Sequence, residues 1–328
     1  MMIIPLIKTF LVLIIGTFAG YIFQKLSDKY HWIQPELKKG ISVFLQKLVM
    51  YWMVSITYIG SLWIYDIENI RKIISMTFVG AFSTITGGLF AVMVAKYYRY
   101  NRIDTGSMFS CGYFANNVTL GGMICFFYFG EEGYALVPIF TFFSRLLYYG
   151  LGYPIARMYS DDTNVSRRFL AKIIEVIKDP FFYIGVSAVF IGIILSLSPY
   201  KRPDFYAFLN EILIPLSTFI LLFSIGFNLK FRHFFKYIKE SLWISIIKFI
   251  AVPLATLVIV LLLGYQTIRG GLPLKVSIIL SAMPVAFNSV ITANVYNLNV
   301  DMVNICWIFT NFATIMVLPV ILAILEKF

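Results

Sequence analysis

The sequence predicts an all-α membrane protein with ten transmembrane helices. Its 328 residues are 60% hydrophobic and 13% charged, with a mean hydropathy of +0.84, whereas an average soluble domain is about 45–50% apolar and about 25% charged. Aromatic residues make up 18% of the chain, which excludes a disordered protein. Its apolar runs have the ~20 residues that a helix needs to cross ~30 Å of hydrocarbon, and they are too long for the strands of a membrane β-barrel.

Ten such runs follow one another along the chain. The first is too long and too lightly flanked by charge for a cleaved signal peptide, so we expect it to be the first transmembrane helix. The sixth is short, and we expect it to tilt less or to thin the bilayer locally. The runs cover residues 3–25, 41–64, 73–95, 107–129, 134–157, 181–198, 208–229, 240–264, 275–295 and 302–325.

The basic residues indicate how these helices are oriented. Lysine and arginine together number 27 against 16 acidic residues, a net charge of +11. Counted with the helix ends next to them, the loops after helices one, three, five, seven and nine hold sixteen of the basic residues, and the other side with both termini holds eight. The positive-inside rule therefore predicts a multi-pass protein of the cell (inner) membrane with both termini outside the cytoplasm. Because no nucleic-acid-reading motif is present, we assign this charge to membrane topology and predict no nucleic-acid partner.

The longest loop divides the ten helices into two sets of five. We predict a first repeat at 1–157, a cytoplasmic linker at 158–180 and a second repeat at 181–328. The linker segment FLAKIIEVIKD has apolar residues at helical spacing, which favours a short amphipathic surface helix; a regulatory role is the alternative to a plain linker. Five helices per half means that the halves enter the membrane in opposite directions, an inverted-repeat architecture common among secondary transporters.

The two halves also match in sequence at their fourth helices. The fourth helix contains FSCGYFANNVTLGG and the ninth LSAMPVAFNSVITA. Aligning Ser110 with Ser281 places Ala115 on Ala286, and two positions later it places Asn117 on an asparagine of the ninth helix. This correspondence supports a true repeat.

Polar residues cluster in the middle of these two matching helices. Asparagine in hydrocarbon is costly unless it is hydrogen-bonded or faces a cavity, and proline and glycine permit a helix to break. Such clusters at corresponding places predict discontinuous helices at a binding site near the midplane; the alternative is that they only join packed helices. The residues are Asn116, Asn117 and Thr119 in the fourth helix and Pro284, Asn288 and Ser289 in the ninth.

No residue pattern indicates an enzyme, a metal site or a cofactor. The cysteines Cys111, Cys125 and Cys306 lie in apolar stretches without metal-ligand spacing, and His31 and His233 are isolated in loops. A membrane-embedded enzyme would need acids within the membrane, paired histidines or a Ser–His arrangement. We therefore predict no catalytic residues, no metal and no cofactor.

The charges that remain within the spans favour an anion as ligand. No carboxylate lies in the fourth or ninth helix, which argues against the buried acid pair of a sodium/proton antiporter. Arg145 lies about halfway along the fifth helix, where it either faces an anion, replaces a coupling cation or bonds to carbonyls freed by a helix break. Lys248 lies nearer the end of the eighth helix, and we expect it to extend to the membrane surface.

At these residues the chain resembles the auxin efflux carrier family, whose PIN-like fold is similar to that of bile-acid symporters. The closest stretch is SAMPVAFNSVITANVYNLNVDMVNICWIFTNFATIMVLPVILAIL, and IPLSTFILLFSIGFNL and NNVTLGGMICFFYFGEEG also resemble the family. The resemblance implies a scaffold of helices one, two, six and seven and a moving transport unit of helices three to five and eight to ten. It also implies a homodimer whose crossed, broken helices four and nine hold the substrate. The chain departs from the family in having Ala115 where a proline is usual.

We therefore predict a secondary transporter of small organic anions, such as mono- or dicarboxylates, that works by elevator-like alternating access. The alternatives are a sodium- or proton-coupled symporter of the bile-acid-symporter type and a channel or sensor. The predicted substrate-binding residues are Asn116, Asn117, Thr119, Arg145, Pro284, Asn288, Ser289 and Asn311.

Overall fold

The computed structural model describes residues 3–64, 73–160, 180–227 and 234–327. Within these ranges the chain is helical and forms no β-strand beyond one isolated bridge. The predicted linker helix lies in 161–179, outside the described residues. The all-α fold class predicted from composition is confirmed.

We number the helices in chain order and treat segments joined by a π-helical turn as one helix. α1 is Ile3–Tyr30; α2 runs through Pro35–Leu48, the π-helical Val49–Met53 and Val54–Leu62; α3 is Met76–Tyr97; α4 is Arg102–Tyr113; α5 runs through the π-helical Asn117–Gly121 and Gly122–Phe140; α6 runs through Ser144–Leu147, the π-helical Tyr148–Gly152 and Tyr153–Met158; α7 is Pro180–Ser196; α8 is Phe205–Gly226; α9 runs through Ile238–Ile246, the π-helical Ile247–Ala251 and Val252–Leu262; α10 is Leu272–Ser281; α11 is Phe287–Val295; and α12 is Val300–Leu325.

Seven helical stretches of the described chain are long and apolar enough to cross a membrane, which indicates a multi-pass membrane protein. The predicted fourth and ninth spans do not appear as single helices, because each is interrupted in its middle. The predicted sixth span is the shorter helix α7. The long stretches are Ile4–Tyr30, Gly40–Leu62, Met76–Tyr97, Asn117–Phe140, Phe205–Gly226, Phe235–Leu262 and Val300–Leu325.

The chain divides into two compact units. The first contains Met1–Lys72, Gly122–Pro138 and Pro180–Lys230, and the second contains Ile73–Gly121, Ile139–Asp179 and Phe231–Phe328. The first unit thus combines α1, α2, α7 and α8 with most of α5, and the second holds the remaining helices.

In the first unit α1 packs along α8, and α2 packs on both α7 and α8. The Phe23 ring of α1 contacts Phe223 and Phe227 of α8 at centroid distances of 5.8 and 5.6 Å. The hydroxyls of Ser42 and Ser224 lie 2.6 Å apart, which joins α2 to α8 by a buried hydrogen bond. Within this unit the apolar helix surfaces therefore pack through aromatic rings and small polar groups, as in other membrane bundles.

In the second unit α3 packs closely on α4. A Cβ atom on Gly87 would lie 2.3 Å from the carbonyl oxygen of Gly112, and a Cβ on Gly112 would lie equally close to that of Gly87. Any larger side chain would force the two backbones apart, so glycine is required at both positions. This contact holds α4, which ends at the first helix interruption, against a long helix.

Candidate functional site

Two helices of the second unit are interrupted where polar residues cluster in the sequence. α4 ends at Tyr113, and the chain continues in extended conformation at Phe114 before helix resumes at Asn117. α10 ends at Ser281, and helix resumes at Phe287 after an irregular stretch that contains Pro284. The predicted discontinuity of both segments is therefore confirmed.

The two interruptions pair with each other through their backbones. Ala115 and Val285 form an antiparallel bridge. Asn116 N donates to the Pro284 carbonyl at 3.0 Å, and Ala286 N donates to the Phe114 carbonyl at 3.2 Å. We call Phe114–Asn116 together with Pro284–Ala286 the paired interruption.

The two hydrogen bonds are related by exchange of the segments. The donor Ala286 lies 170 positions after the donor Asn116, and the acceptor Pro284 lies 170 positions after the acceptor Phe114. The half-helices that begin at Asn117 and Phe287 have this spacing too. The alignment predicted from sequence, which pairs Ala115 with Ala286, is one residue out of step with this relation.

Side chains from two other helices, α6 and α12, satisfy polar groups that the interruptions leave free. The Tyr148 hydroxyl of α6 lies 3.2 Å from both the nitrogen and the oxygen of Ala115. The Thr310 hydroxyl of α12 accepts from Val285 N at 3.2 Å, and Asn311 Nδ2 donates to the Val285 carbonyl at 3.3 Å. Non-helical backbone at membrane depth must be buried and hydrogen-bonded in this way.

Lys248 of α9 also bonds to the paired interruption, and the prediction that it extends to the membrane surface is wrong. Its side chain is only 3% exposed, and Nζ donates to the Phe114 carbonyl at 3.1 Å. The freed carbonyl offers the ammonium a hydrogen bond inside the protein that lipid would not. A charge at membrane depth costs at least ~2.5–3.5 kcal/mol, so its placement here favours a functional role.

Lys248 and Tyr148 share a local feature that explains how they reach this place. Each lies in a π-helical turn, Ile247–Ala251 in α9 and Tyr148–Gly152 in α6. A π-turn inserts an extra residue and rotates the following side chains about the helix axis, and such turns are frequent at functional sites. A regular helical period therefore assigns both side chains to the wrong side of their helices. The signal that the sequence does carry is Lys248 itself, a basic residue within an apolar span.

The predicted site residues of the fourth segment lie at the paired interruption. Asn116 belongs to it, and its Oδ1 accepts the Thr119 hydroxyl at 2.6 Å. Asn117 begins the half-helix and is 3% exposed, and its Oδ1 has no hydrogen-bond partner within the described structure. Leaving such an oxygen unpaired costs ~1–3 kcal/mol, so it offers an acceptor to a ligand.

The predicted site residues of the ninth segment differ in what they contact. Pro284 supplies the carbonyl that pairs with the fourth segment. Ser289 donates to the Ser110 carbonyl at 3.0 Å, so its hydroxyl joins α11 to α4. Asn288 lies half-buried in the first turn of α11.

Asn311 presents a second unpaired acceptor. It is 6% exposed, and Nδ2 donates to the Trp307 carbonyl at 2.8 Å as well as to Val285. Both partners are carbonyls, which fixes the amide orientation, and Oδ1 has no partner within the described structure. The Arg145 side chain, also predicted for this site, lies outside the described part of the molecule.

The electrostatics of the paired interruption are favourable to negative charge. Residues 105–130 and 272–300 contain no carboxylate. The half-helix N-termini at Asn117 and Phe287 carry partial positive charge from the helix dipole and present backbone N–H groups. With Lys248, all the fixed charge that the described residues place here is positive.

Other groups in the described ranges suggest no metal chemistry. No cluster of three His, Cys, Asp or Glu side chains occurs among these residues. Cys111, Cys125 and Cys306 are free and buried, as expected for small core residues.

The first unit contains a partly buried ion pair that the sequence does not reveal. Arg202 binds Glu131 through both guanidinium nitrogens, at 2.7 and 2.8 Å, and also donates to the Gly60 carbonyl at 3.1 Å. Asn210 Nδ2 donates to the same carboxylate and to the Ser61 hydroxyl. This cluster joins α2, α5 and α8, and partners 71 residues apart in sequence leave no local pattern to find.

A turn within α5 places Glu131 in this cluster. Gly130 has φ of +65°, a conformation that glycine adopts without strain. The chain therefore changes direction between the predicted fourth and fifth spans. Glu131, whose carboxylate binds Arg202, is the next residue.

No protein-family model matches the chain, and no curated protein matches it.

Proposed function

We propose that this chain is a secondary carrier of small organic anions, mono- or dicarboxylates, across a cell membrane. The observation that supports the proposal is the paired interruption, two broken helices hydrogen-bonded at Ala115 and Val285 in a chain with long apolar helices. Irregular backbone at membrane depth is tolerated where it is buried in protein or lines a cavity, and broken helices at corresponding positions are typical binding sites of secondary transporters.

An anion fits this site better than a cation. The positive ends of two half-helices begin at Asn117 and Phe287, and the surrounding segments 105–130 and 272–300 lack carboxylates. A carboxylate bound there would accept hydrogen bonds from backbone N–H groups and would interact favourably with both helix dipoles. A cation would meet the same dipoles with the opposite sign.

The proposal also includes the architecture that the sequence predicts for the membrane. It comprises ten spans in two inverted halves, with both termini outside the cytoplasm, in the cell (inner) membrane. It also includes membership of the auxin efflux carrier family, a homodimer, and an elevator-like movement of helices three to five and eight to ten against the others. The exchange relation of the two backbone bonds at the paired interruption supports the inverted halves.

A sodium- or proton-coupled symporter is the second candidate. The unpaired oxygens of Asn117 and Asn311 favour it, because amide oxygens can coordinate sodium or accept a proton donor. The two candidates differ in whether anion binding depends on the cation.

One pair of experiments tests both candidates. The purified protein is screened for thermal stabilisation by a panel of carboxylates, with sodium or with potassium as the only cation. The best anion is then followed in proteoliposomes that contain the same anion unlabelled. Saturable counterflow independent of sodium supports the anion carrier, and stabilisation that requires sodium supports the symporter. Flux without saturation or counterflow indicates a channel and refutes both.

A further inference from the structure

Lys248 is the one side chain of formal charge that the described structure places at the paired interruption. Its Nζ lies 3.1 Å from the Phe114 carbonyl oxygen, and the side chain is 97% shielded from solvent, being 3% exposed. The same carbonyl accepts the Ala286 N–H at 3.2 Å. The ammonium therefore shares its acceptor, the Phe114 carbonyl, with the backbone hydrogen bond that joins the fourth segment to the ninth.

This ammonium lacks a counter-charge within the described residues. An ammonium has three N–H donors, and one is directed at Phe114. The ion pairs found in the described chain, Lys38–Asp28 and Arg202–Glu131, do not involve Lys248. Burying a cation without an opposite charge is unfavourable, and a bound anion would supply that charge.

Two more polar groups near Lys248 are also incomplete. The Oδ1 atoms of Asn117 and Asn311 are buried and unpaired in the described structure. Asn117 follows the lysine's carbonyl partner by three residues, and Asn311 bonds to Val285, the residue before Ala286. An ammonium with free N–H groups and two unpaired amide oxygens thus surround the paired interruption. Their presence indicates a ligand that binds at the paired interruption itself.

We propose that the Lys248 ammonium recognises the negative charge of the transported anion, while its hydrogen bond to the Phe114 carbonyl holds it at the paired interruption. The inference rests on the proposed function, since it assigns the charge-recognising residue of that same site. A carboxylate accepts from the ammonium N–H groups that Phe114 leaves free. The neutral amide of the same acid offers no charge and binds weakly.

The test compares acids with their neutral amides of nearly the same shape. Propionate with propionamide and phenylacetate with phenylacetamide are the probes, measured by binding to purified protein and by uptake into proteoliposomes. The variants are Lys248→Gln, Lys248→Met and Lys248→Arg. Lys275→Gln is the matched control, because Lys275 is a half-buried lysine in the first turn of α10, away from the paired interruption.

We expect the wild type and Lys275→Gln to prefer each acid over its amide by about thirtyfold or more, the size of a buried charge contact. In Lys248→Gln and Lys248→Met this preference falls to near one through loss of acid binding alone, and Lys248→Arg retains most of it. A lysine that only holds Phe114 in place would lower acid and amide binding equally, and an unchanged preference in folded neutral variants overturns the inference.

Two further outcomes separate this inference from the proposed function. If the wild type carries neither acids nor amides, the proposed function is wrong. If the neutral variants do not fold, the wild type alone decides: uptake of the amides as readily as the acids refutes charge recognition by Lys248, and strong rejection of the amides supports it.

Discussion

Replacing Thr310 with valine should destabilise the protein through a single backbone N–H. The Thr310 hydroxyl accepts from Val285 N at 3.2 Å and itself donates to the Cys306 carbonyl at 2.8 Å. Thr310 and Val285 are both fully buried. Valine has nearly the same shape, so the change removes the hydroxyl and leaves the N–H of Val285 without a partner.

The expected cost follows from that orphaned donor. An unsatisfied buried N–H costs about 1–3 kcal/mol. Thr314→Val is the matched control, because Thr314 is buried one turn further along α12 and its hydroxyl donates only to the Thr310 carbonyl at 2.9 Å. That carbonyl keeps its helical hydrogen bond, so the control should cost only about 0–1 kcal/mol.

Equilibrium unfolding of the purified proteins in mixed detergent and SDS micelles measures the difference. The midpoint for Thr310→Val should shift well beyond that for Thr314→Val, by a free energy of about 1–2 kcal/mol. Equal shifts for the two variants would refute the view that Thr310 is required to satisfy the paired interruption.

Three further predictions concern the site and the packing around it. Asn117→Ala and Asn288→Ala should each abolish transport in proteoliposomes while the protein stays folded and inserted, and full transport in both would refute the site assignment. Arg202→Met leaves the partly buried Glu131 carboxylate with the Asn210 amide but without its cation, and it should lower the free energy of unfolding by about 1–3 kcal/mol, whereas also changing Glu131 to glutamine should restore part of the loss. Gly112→Ala should cost at least about 1–3 kcal/mol because its Cβ would lie 2.3 Å from a backbone oxygen; Gly150→Ala, with no atom within 4 Å, is the control, and equal unfolding midpoints would contradict the close contact.

The positions of both helix breaks could be predicted because their chemistry is local. Asn116, Asn117 and Pro284 are polar or helix-breaking residues within apolar runs, and each marks its own segment. The fourth segment breaks at Ala115 although no proline is present there. The break is stabilised from outside the segment, by a hydroxyl and an ammonium from other helices, and this support has no signature in the segment's own sequence.

The residues that surround the breaks could not be predicted from periodicity. The prediction that Lys248 reaches the membrane surface assumes a regular helix, which places the residue near one end of its span. Lys248 instead lies in the π-helical turn Ile247–Ala251, and its ammonium bonds to the Phe114 carbonyl, 134 residues away in sequence. A partner this distant in sequence leaves no local pattern, so periodicity alone could not place the charge.

The unpaired oxygens of Asn117 and Asn311 bear on the chemistry of the proposed anion. A sodium ion bound at the paired interruption would share it with the Lys248 ammonium, which bonds to the Phe114 carbonyl, and two cations at short range in a medium of low dielectric repel. A substrate that carries a carboxylate for the lysine and a hydroxyl or N–H donor for the amide oxygens satisfies all three groups without that repulsion. For the proposed anion carrier, a hydroxyl-bearing acid such as lactate should therefore stabilise the purified protein more than propionate does.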